Sequence, residues 1–378
     1  MRDPAHEDKV HEVVVVGAGP IGIELAVALQ RAGIDYAHLD AGAIGSTLEW
    51  WAPGTKFFSS PERIAIAGVP LASLEQEKAT REEYLAYLRQ VVQTFGLRIT
   101  QYERVTDIKR EGDTFVLRSV RSRGSNTPPE SPKSPEPPEV PEVTKESGAP
   151  ERVWRARRIV LAIGDMHRPH LVGIPGEDLP HVSHYLQEPH HYFGQRVVIV
   201  GGKNSAVEAA IRLHRVGAEV TISYRQPEFS ERVKYWLRPE LLYLIKQKQI
   251  GFVPRTVPVR ITEEGVLVRP IEGGEERMLP ADFVLLLTGY EQDTTLFERA
   301  GVELVGPGRA PKHHPRTMET NVPGVFVAGT ASAGTQIGGV KVFIETSHVH
   351  VRRIMSAITG EQVDDAALET PEFALPES

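Results

Sequence analysis

The sequence predicts an α/β protein made of two parallel-sheet units, with the second unit inserted into the first. Three observations predict this fold class. Four valines at residues 13–16 run without alternation into a glycine-rich turn and then a helical pattern, as in a buried parallel strand followed by its crossover helix. The same succession begins again at Val197. After this second unit ends near residue 290, residues 317–329 have the pattern of a turn and one more buried strand. The chain is therefore expected to return to the first unit.

The first unit carries the residue pattern of a dinucleotide-binding Rossmann fold. Its turn has the G-x-G-x-x-G spacing, which allows a tight turn, a close backbone approach to a pyrophosphate and close helix–strand packing. The turn residues expected at the ligand are Gly17, Gly19, Pro20 and Gly22. A second apolar run ends in Asp40, at about the 20-residue distance where an acid accepts ribose hydroxyls. A turn that only packs a helix on a strand has no use for Asp40, so a bound dinucleotide is predicted.

Between the two units, the sequence predicts a loop, a helix and a hairpin. Residues 50–59 are rich in aromatics and turn formers, which indicates a loop lining a planar ligand or, alternatively, a surface loop tucked onto the core. Residues 80–94 predict an amphipathic helix that begins with a Thr80–Glu83 capping box. Residues 104–109 and 114–120 flank a Glu-Gly-Asp turn, which is typical of a hairpin.

Residues 125–150 differ in composition from the rest of the chain. They carry eight prolines among Glu, Ser and Lys, with almost nothing apolar to bury, which favours a disordered or polyproline-like segment. A tolerated insertion at a hairpin tip is preferred over a ligand for an SH3-type domain. We therefore predict a first domain at 10–170 and 295–366, interrupted by a Pro-rich insert at 122–151, and a second domain at 180–290.

The second unit has an altered glycine turn. The turn residues expected at its nucleotide are Gly201, Gly202, Lys203, Asn204, Ser205 and Ala206. Lys203 replaces the second glycine of the pattern, where its ammonium group would contact phosphates. The next strand ends at Tyr224 and is followed by Arg225 instead of an acid, and arginine is the residue type that receives a 2′-phosphate. NADPH is therefore predicted over NADH, with Arg232 and Lys234 as helpers. The alternative is a solvated Arg225 at a strand end.

The charge and residue composition argue against several classes of partner and chemistry. The 378 residues include 43 Lys and Arg against 50 Asp and Glu, for a net charge of −7, which argues against nucleic acid or an anionic membrane as a partner. No charge-free apolar run has a spanning length, and the N-terminus lacks the basic region of a signal peptide. A cytoplasmic protein is expected. The absence of cysteine excludes disulfides, thiolate metal sites and redox chemistry on the protein's own thiols.

The histidines and Glu345 are further candidates for metal or cofactor binding. The fourteen histidines have no carboxylate or cysteine company at a recognisable ligand spacing, so no metal site is expected. Glu345 is the one carboxylate in an otherwise apolar and small stretch. It lies either near a cofactor or at a solvated helix position.

Two nucleotide units, the second inside the first, resemble the two-dinucleotide flavoproteins of the thioredoxin-reductase type. Residues 162–164 (Ala-Ile-Gly) resemble the Ala-Thr-Gly strand end of that family, and residues 288–290 (Thr-Gly-Tyr) its second copy. Residues 317–329 resemble the strand that ends in Gly-Asp under the flavin ribityl chain, with Thr330 in place of Asp. The resemblance implies FAD in the first unit and NADPH in the second. The FAD-binding residues that it adds are Gly45, Gly164, Gly329 and Thr330.

Five stretches outside the Pro-rich insert carry a more specific pattern: 57–59 (Phe-Phe-Ser), 174–180 (Ile-Pro-Gly-Glu-Asp-Leu-Pro), 182–185 (Val-Ser-His-Tyr), 201–210 (Gly-Gly-Lys-Asn-Ser-Ala-Val-Glu-Ala-Ala) and 343–345 (Phe-Ile-Glu). On these stretches nearly the whole chain, apart from the insert, resembles the bacillithiol-disulfide reductase family. This similarity implies an oligomeric FAD- and NADPH-dependent oxidoreductase that acts on a low-molecular-weight thiol disulfide. The family carries its redox cysteine just before the last glycine of the first turn, where this chain has Ile21.

Mixed-disulfide chemistry needs a thiolate, so the second half-reaction stays open and no catalytic residue is assigned. The leading hypothesis is an NADPH-dependent FAD enzyme that reduces a ferredoxin- or flavodoxin-like protein, a quinone, or a small disulfide attacked directly. A flavin monooxygenase is the second, because Pro175-Gly176 with His181 and Ser183 resembles its signature, although the spacing differs. The third is a nucleotide-binding redox sensor without catalysis, which slow NADPH turnover with every acceptor would favour.

Overall fold

A computed structural model describes residues 9–73, 77–122, 151–337, 342–361 and 364–370. Apart from its two end residues, the predicted Pro-rich insert at 122–151 lies outside the described part of the chain. Up to the end of the fifth strand the elements are β1 Val10–Val16, α1 Pro20–Arg31, β2 Tyr36–Leu39, α2 Pro61–Ile64, α3 Arg81–Phe95, β3 Glu103–Glu111, β4 Thr114–Arg121 and β5 Arg152–Leu161.

The middle of the chain forms β6 Arg168–Pro169, β7 Val182–Ser183, β8 Arg196–Val200, α4 Asn204–Arg215, β9 Glu219–Tyr224, α5 Leu237–Lys246, β10 Gly251–Pro254, β11 Thr256–Thr262, β12 Gly265–Pro270, β13 Arg277–Pro280, β14 Phe283–Leu286 and β15 Tyr290–Glu291. The last part forms α6 Thr295–Arg299, β16 Leu304–Val305, β17 Ala310–Pro311, β18 Val325–Val327 and α7 Ile344–Thr359. Short 3₁₀ helices lie at Ser46–Trp50, Pro189–Tyr192, Gly329–Ala333 and Asp365–Leu368.

The first sheet has the strand order β2-β1-β5-β4-β3, and β18 pairs with β5. Strands β2, β1, β5 and β18 are parallel, whereas β3, β4 and β5 form an antiparallel meander. Val13, Val14 and Val15 of β1 are completely buried, because helix α1 covers one face of the sheet with Leu25 and Leu29. The carboxyl ends of β1, β5 and β18 therefore lie side by side.

The second sheet has the order β10-β9-β8-β14-β7 and all its strand pairs are parallel. Helices α4 and α5 pack on one face, and the antiparallel strands β11-β12-β13 share a core with the other face. Strand β12 begins directly after the turn that follows β11, at Gly265, whose φ of 147° suits glycine. The parallel strands at the centre of both sheets, with helices packed on them, confirm the predicted α/β class.

The chain crosses between the sheets twice, and the two crossings pair with each other. Strands β6 and β15 are antiparallel, with Tyr290 opposite Pro169 and Glu291 opposite Arg168. The chain thus leaves the first sheet after β5 and comes back to it at β18. The domain boundaries 10–170, 180–290 and 295–366 stay predictions. Within the described ranges, no helix is both long enough and apolar enough to cross a membrane.

Candidate cofactor sites

The turn between β1 and α1 needs glycine at two positions for its own packing and leaves a third position open. A Cβ on Gly17 would lie 2.3 Å from the carbonyl oxygen of Ala162, and one on Gly22 would lie 2.0 Å from the carbonyl oxygen of Gly17. Gly19 has no atom within 4 Å of its Cβ position. Gly19 is the N-cap residue of helix α1, and Pro20 follows as the first helical residue. This open space before a helix N-terminus fits a pyrophosphate.

Asp40 lies beside this turn, at the end of β2. Its Oδ2 accepts a hydrogen bond from the amide of Ala18 at 2.5 Å, and its Oδ1 accepts one from the amide of Gly42 at 2.7 Å. Burial raises the pKa of Asp40 to about 6, although these two amides and Arg104 act in the opposite direction. Because an ionised carboxylate has about four acceptor positions, Asp40 holds the turn and still has lone pairs for ribose hydroxyls.

His38 forms a hydrogen bond to the same turn, and the sequence did not predict this contact. Its Nε2 lies 2.9 Å from the carbonyl oxygen of Gly17, and that oxygen can only accept, so Nε2 carries the proton. Burial lowers the pKa of His38 to about 4, which keeps the ring neutral. A histidine within a buried strand was the only available signal.

Three predicted FAD-binding positions and Ile21 come together near the carboxyl ends of β1, β5 and β18. A Cβ on Gly329 would lie 3.5 Å from the Cβ of Ile21, and one on Gly164 would lie 4.0 Å from Oγ1 of Thr330. Ile21 is 5% exposed. Gly45 lies on the other side of the turn, where its amide donates to the carbonyl oxygen of Ala18. The structure thus gathers the predicted FAD residues around one turn.

The second turn repeats this arrangement with a lysine at the open position. A Cβ on Gly201 would lie 2.5 Å from the carbonyl oxygen of Leu287, and one on Gly202 would lie 2.5 Å from the ring of Tyr224. Lys203 is the N-cap residue of helix α4, as Gly19 is of α1, and its side chain is exposed. Asn204, Ser205 and Ala206 form the first turn of α4. A cation therefore stands at the N-terminus of the helix.

Arg225 directly follows β9 and is exposed. Within the described residues its guanidinium makes no hydrogen bond or ion pair, so it is free to bind a ligand. Lys234 is not free, because it is 7% exposed and its Nζ lies 2.8 Å from Oε2 of Glu208 and 2.9 Å from the carbonyl oxygen of Lys56. The prediction that Lys234 assists at the 2′-phosphate is therefore wrong. Its ammonium group instead neutralises a largely buried carboxylate.

Lys234 belongs to a set of contacts between the two units, which we call the interdomain clasp. Besides the bond from Lys234 to Lys56, Arg212 of α4 donates to Oγ1 of Thr55 at 3.2 Å and to the carbonyl oxygen of Pro53. The rings of Phe58 and Trp236 stack with their centroids 5.7 Å apart. The members of the clasp are Pro53, Thr55, Lys56, Phe58, Glu208, Arg212, Lys234 and Trp236.

The aromatic loop at residues 50–59 is fixed on both sides. Trp51 packs against Phe57, and Phe57 packs against Tyr84 of helix α3 in the core. The predicted Thr80–Glu83 capping box at the start of α3 is present. Trp51 and Phe57 therefore fit the interpretation of a loop that packs onto the core. Phe58 instead belongs to the interdomain clasp.

Glu345 lies in the first turn of α7. It is 7% exposed, and its Oε2 has no hydrogen-bond partner among the described residues. The alternative of a solvated helix position is therefore wrong. A buried acceptor without a protein donor is available to a bound ligand.

The chain is similar to known flavoproteins along most of its length. Residues 14–123 and 143–329 match the sequence family described as pyridine nucleotide-disulphide oxidoreductase, and the interruption falls within the predicted insert. A curated relative, bacilliredoxin reductase Bdr of Bacillus subtilis, is 33% identical over 93% of this chain and 98% of its own length. A ferredoxin–NADP reductase of Ignicoccus hospitalis is 27% identical over 85% of this chain and 90% of its own length.

Solved structures give the same result. The bacillithiol disulfide reductase Bdr (YpdA) of Bacillus cereus has a TM-score of 0.81 and 30% identity, and the match covers 93% of this chain and 99% of that one. The thioredoxin reductase of T. acidophilum has a TM-score of 0.67 at 20% identity over 93% and 99% of the two chains, which shows the shared fold alone. The protein is an oxidoreductase that uses a flavin and a nicotinamide cofactor. It belongs to the pyridine nucleotide-disulphide oxidoreductase family and, within it, to the bacillithiol-disulfide reductases, with Ile21 in place of their redox cysteine.

Proposed function

We propose that this protein oxidises NADPH, with FAD in its first unit, and delivers the electrons to an acceptor without a protein thiol. The observation that carries this proposal is Ile21. Each of the two glycine turns leads into the N-terminus of a helix, which supports a nucleotide at each turn. The cysteine position holds a buried aliphatic side chain, and the sequence has no cysteine. Bound FAD would take up electrons from NADPH and release them to the acceptor.

The first unit's residues support FAD binding. The open space at Gly19 and the free amides of the first turn of α1 would bind the pyrophosphate. Asp40 would accept hydrogen bonds from one ribose while its bonds to Ala18 and Gly42 keep the carboxylate in place. Gly164 and Gly329 leave room for the other half of the ligand at the ends of β5 and β18.

The second unit's residues support NADPH over NADH. Lys203 would contact the pyrophosphate at the N-terminus of α4, and the exposed Arg225 would bind the 2′-phosphate. No acid stands at the end of β9 to accept the hydroxyls of an unphosphorylated ribose.

Arg225 gives the sharpest test of the coenzyme. We expect Arg225→Ala to raise the KM for NADPH by about tenfold or more and to leave the KM for NADH nearly unchanged, because only NADPH carries the 2′-phosphate. Arg269→Ala, which removes an exposed arginine on β12 of the same unit, is the control and should change neither value. Equal use of both coenzymes by the unchanged protein would contradict this role.

The acceptor is proposed to take its electrons directly from the flavin. A low-molecular-weight thiol disulfide is the acceptor suggested by membership of the bacillithiol-disulfide reductases, and the relative from B. subtilis is a bacilliredoxin reductase. Ile21 favours the second candidate, a ferredoxin- or flavodoxin-like protein or a quinone, because these acceptors need no thiolate. The relative named ferredoxin–NADP reductase supports the same choice.

The decisive experiment is anaerobic reduction of the purified protein by NADPH, followed by a panel of acceptors. Bleaching of the flavin absorbance by NADPH is the expected first result. Rapid reoxidation by a ferredoxin or quinone, with slow or no reoxidation by bacillithiol disulfide, would support electron transfer to the acceptor without a protein thiol. Protein that contains no flavin and cannot be reconstituted with FAD would overturn the proposal, as would failure of NADPH to reduce it.

A further inference from the structure

Asp165 is a carboxylate at the strand ends that no sequence pattern singled out. It directly follows Gly164 at the end of β5. Nε2 of Gln336 donates a hydrogen bond to its Oδ2 at 2.8 Å, and the side chain of Thr330 also hydrogen bonds to it. Burial raises the pKa of Asp165, and these two donors oppose that effect. The carboxylate is therefore fixed in position at the junction of β5 and β18.

The order of the strands shows which half of the ligand reaches this junction. Asp40 follows β2 on one side of β1, whereas β5 and β18 lie on the other side. Neighbouring strands are about 4.8 Å apart, so the ends of β2 and β5 are separated by about 10 Å. If one ribose binds at Asp40 and the pyrophosphate binds at the N-terminus of α1, the remaining half of FAD would lie on the side of Gly164 and Gly329.

That half of FAD begins with the ribityl chain, whose hydroxyls need hydrogen-bond acceptors. An ionised carboxylate is an acceptor with about four lone-pair positions. The three donors to Asp165, which are Gln336, Thr330 and its own backbone amide, use only part of this capacity. The hydroxyl of Thr330 also has lone pairs left when its proton points to Asp165. The pair therefore offers oxygen acceptors on the side where the ribityl chain would pass.

We propose that Asp165, together with Thr330, holds the ribityl hydroxyls of FAD, so that the carboxylate missing at position 330 is supplied from the end of β5. This inference rests on the proposed FAD binding. It also connects the ligand to helix α7, because Gln336 bonds to both backbone groups of Val342 at 3.0 and 3.1 Å. Val342 lies two residues before the first residue of α7.

The test is FAD affinity of the apoprotein, measured by titration of flavin fluorescence. We expect Asp165→Ala to weaken binding by about tenfold or more, as for the loss of a charged hydrogen-bond acceptor. Asp165→Ala combined with Thr330→Asp should return the affinity to within about threefold of the unchanged protein, because a carboxylate then stands at the end of β18. Asp113→Ala, at an exposed hairpin position, is the control and should change nothing.

A third variant separates this role from simple packing. Thr330→Asp alone would place two carboxylates in contact, and since like charges disfavour double ionisation, its FAD affinity should fall as the pH rises from 6 to 8. Unchanged affinity of Asp165→Ala would overturn the inference, as would a double variant no better than Asp165→Ala. If Asp165→Ala fails to fold, Asp165→Asn replaces it in the test. We expect Asp165→Asn to bind FAD more weakly than the unchanged protein, and equal affinity would contradict the inference. If the unchanged protein binds no FAD, the proposed function itself fails.

Discussion

Ile21 lies in the first turn of helix α1 and against Gly329, which is the second residue after β18. A cysteine at this position would have its thiol pKa lowered by the helix N-terminus. We expect Ile21→Cys to gain a thiolate–flavin charge-transfer band and measurable reduction of bacillithiol disulfide. The smaller side chain should cost about 1 kcal/mol of stability.

Ile21→Ser is the matched control, because it makes a similar cavity without a thiol and should gain neither property. The expectation is wrong if the unchanged protein already reduces the disulfide at a rate that Ile21→Cys does not improve. In that case the thiol was never needed in this chain.

Asp40 should make FAD binding depend on pH. Burial raises its pKa from the usual 3.8 to about 6. Between these two pH values the folded apoprotein binds this proton more tightly than the unfolded chain does, so its free energy of unfolding falls as the pH rises from about 4 to 6. The ionised form is the one that accepts ribose hydroxyls. FAD affinity should therefore be about tenfold lower at pH 5 than at pH 8, and Asp40→Asn should be weak at both. Equal affinity of the unchanged protein at the two pH values would exclude this role.

At the scale of one element, the two glycines at the start of helix α1 have different requirements: Gly19 is the N-cap residue and Gly22 lies in the first turn. Gly19 has φ −76° and open space around it, so Gly19→Ala should fold normally and yet bind FAD at least tenfold more weakly, because the methyl group occupies ligand space. Gly22→Ala should instead lower the melting temperature of the apoprotein, since its Cβ would overlap the carbonyl oxygen of Gly17. Similar melting temperatures for both variants would show that the turn is more adaptable than its geometry indicates.

The elements that could be predicted are those with a local signal. Residues that are close together in sequence specify the capping box of α3, the two glycine turns and the strand that precedes Asp40. Asp165 and Lys234 could not be predicted, because their partners Gln336 and Lys56 are more than 170 residues away in sequence. The roles of Lys234 and Glu345 were settled by burial, which a single sequence does not reveal.

For the whole molecule, the interdomain clasp should make the two units unfold together. Arg212→Ala removes the bonds to Thr55 and Pro53, and we expect it to split one thermal transition into two. Arg215→Ala is the control, because Arg215 lies on the same helix but pairs with Glu240 within its own unit. A single transition in both variants would show that other contacts suffice to hold the units together.

The clasp has a consequence for ligand binding, because it joins the cofactor-binding regions themselves. Asn204 of the second turn accepts a bond from the amide of Lys234, whose side chain reaches Lys56 of the first unit. Any ligand that binds only the folded state raises the stability of whatever unfolds with it. NADP⁺ should therefore slow the loss of FAD from the first unit on heating, and FAD should protect the second unit from proteolysis. In Arg212→Ala each cofactor should protect its own unit alone.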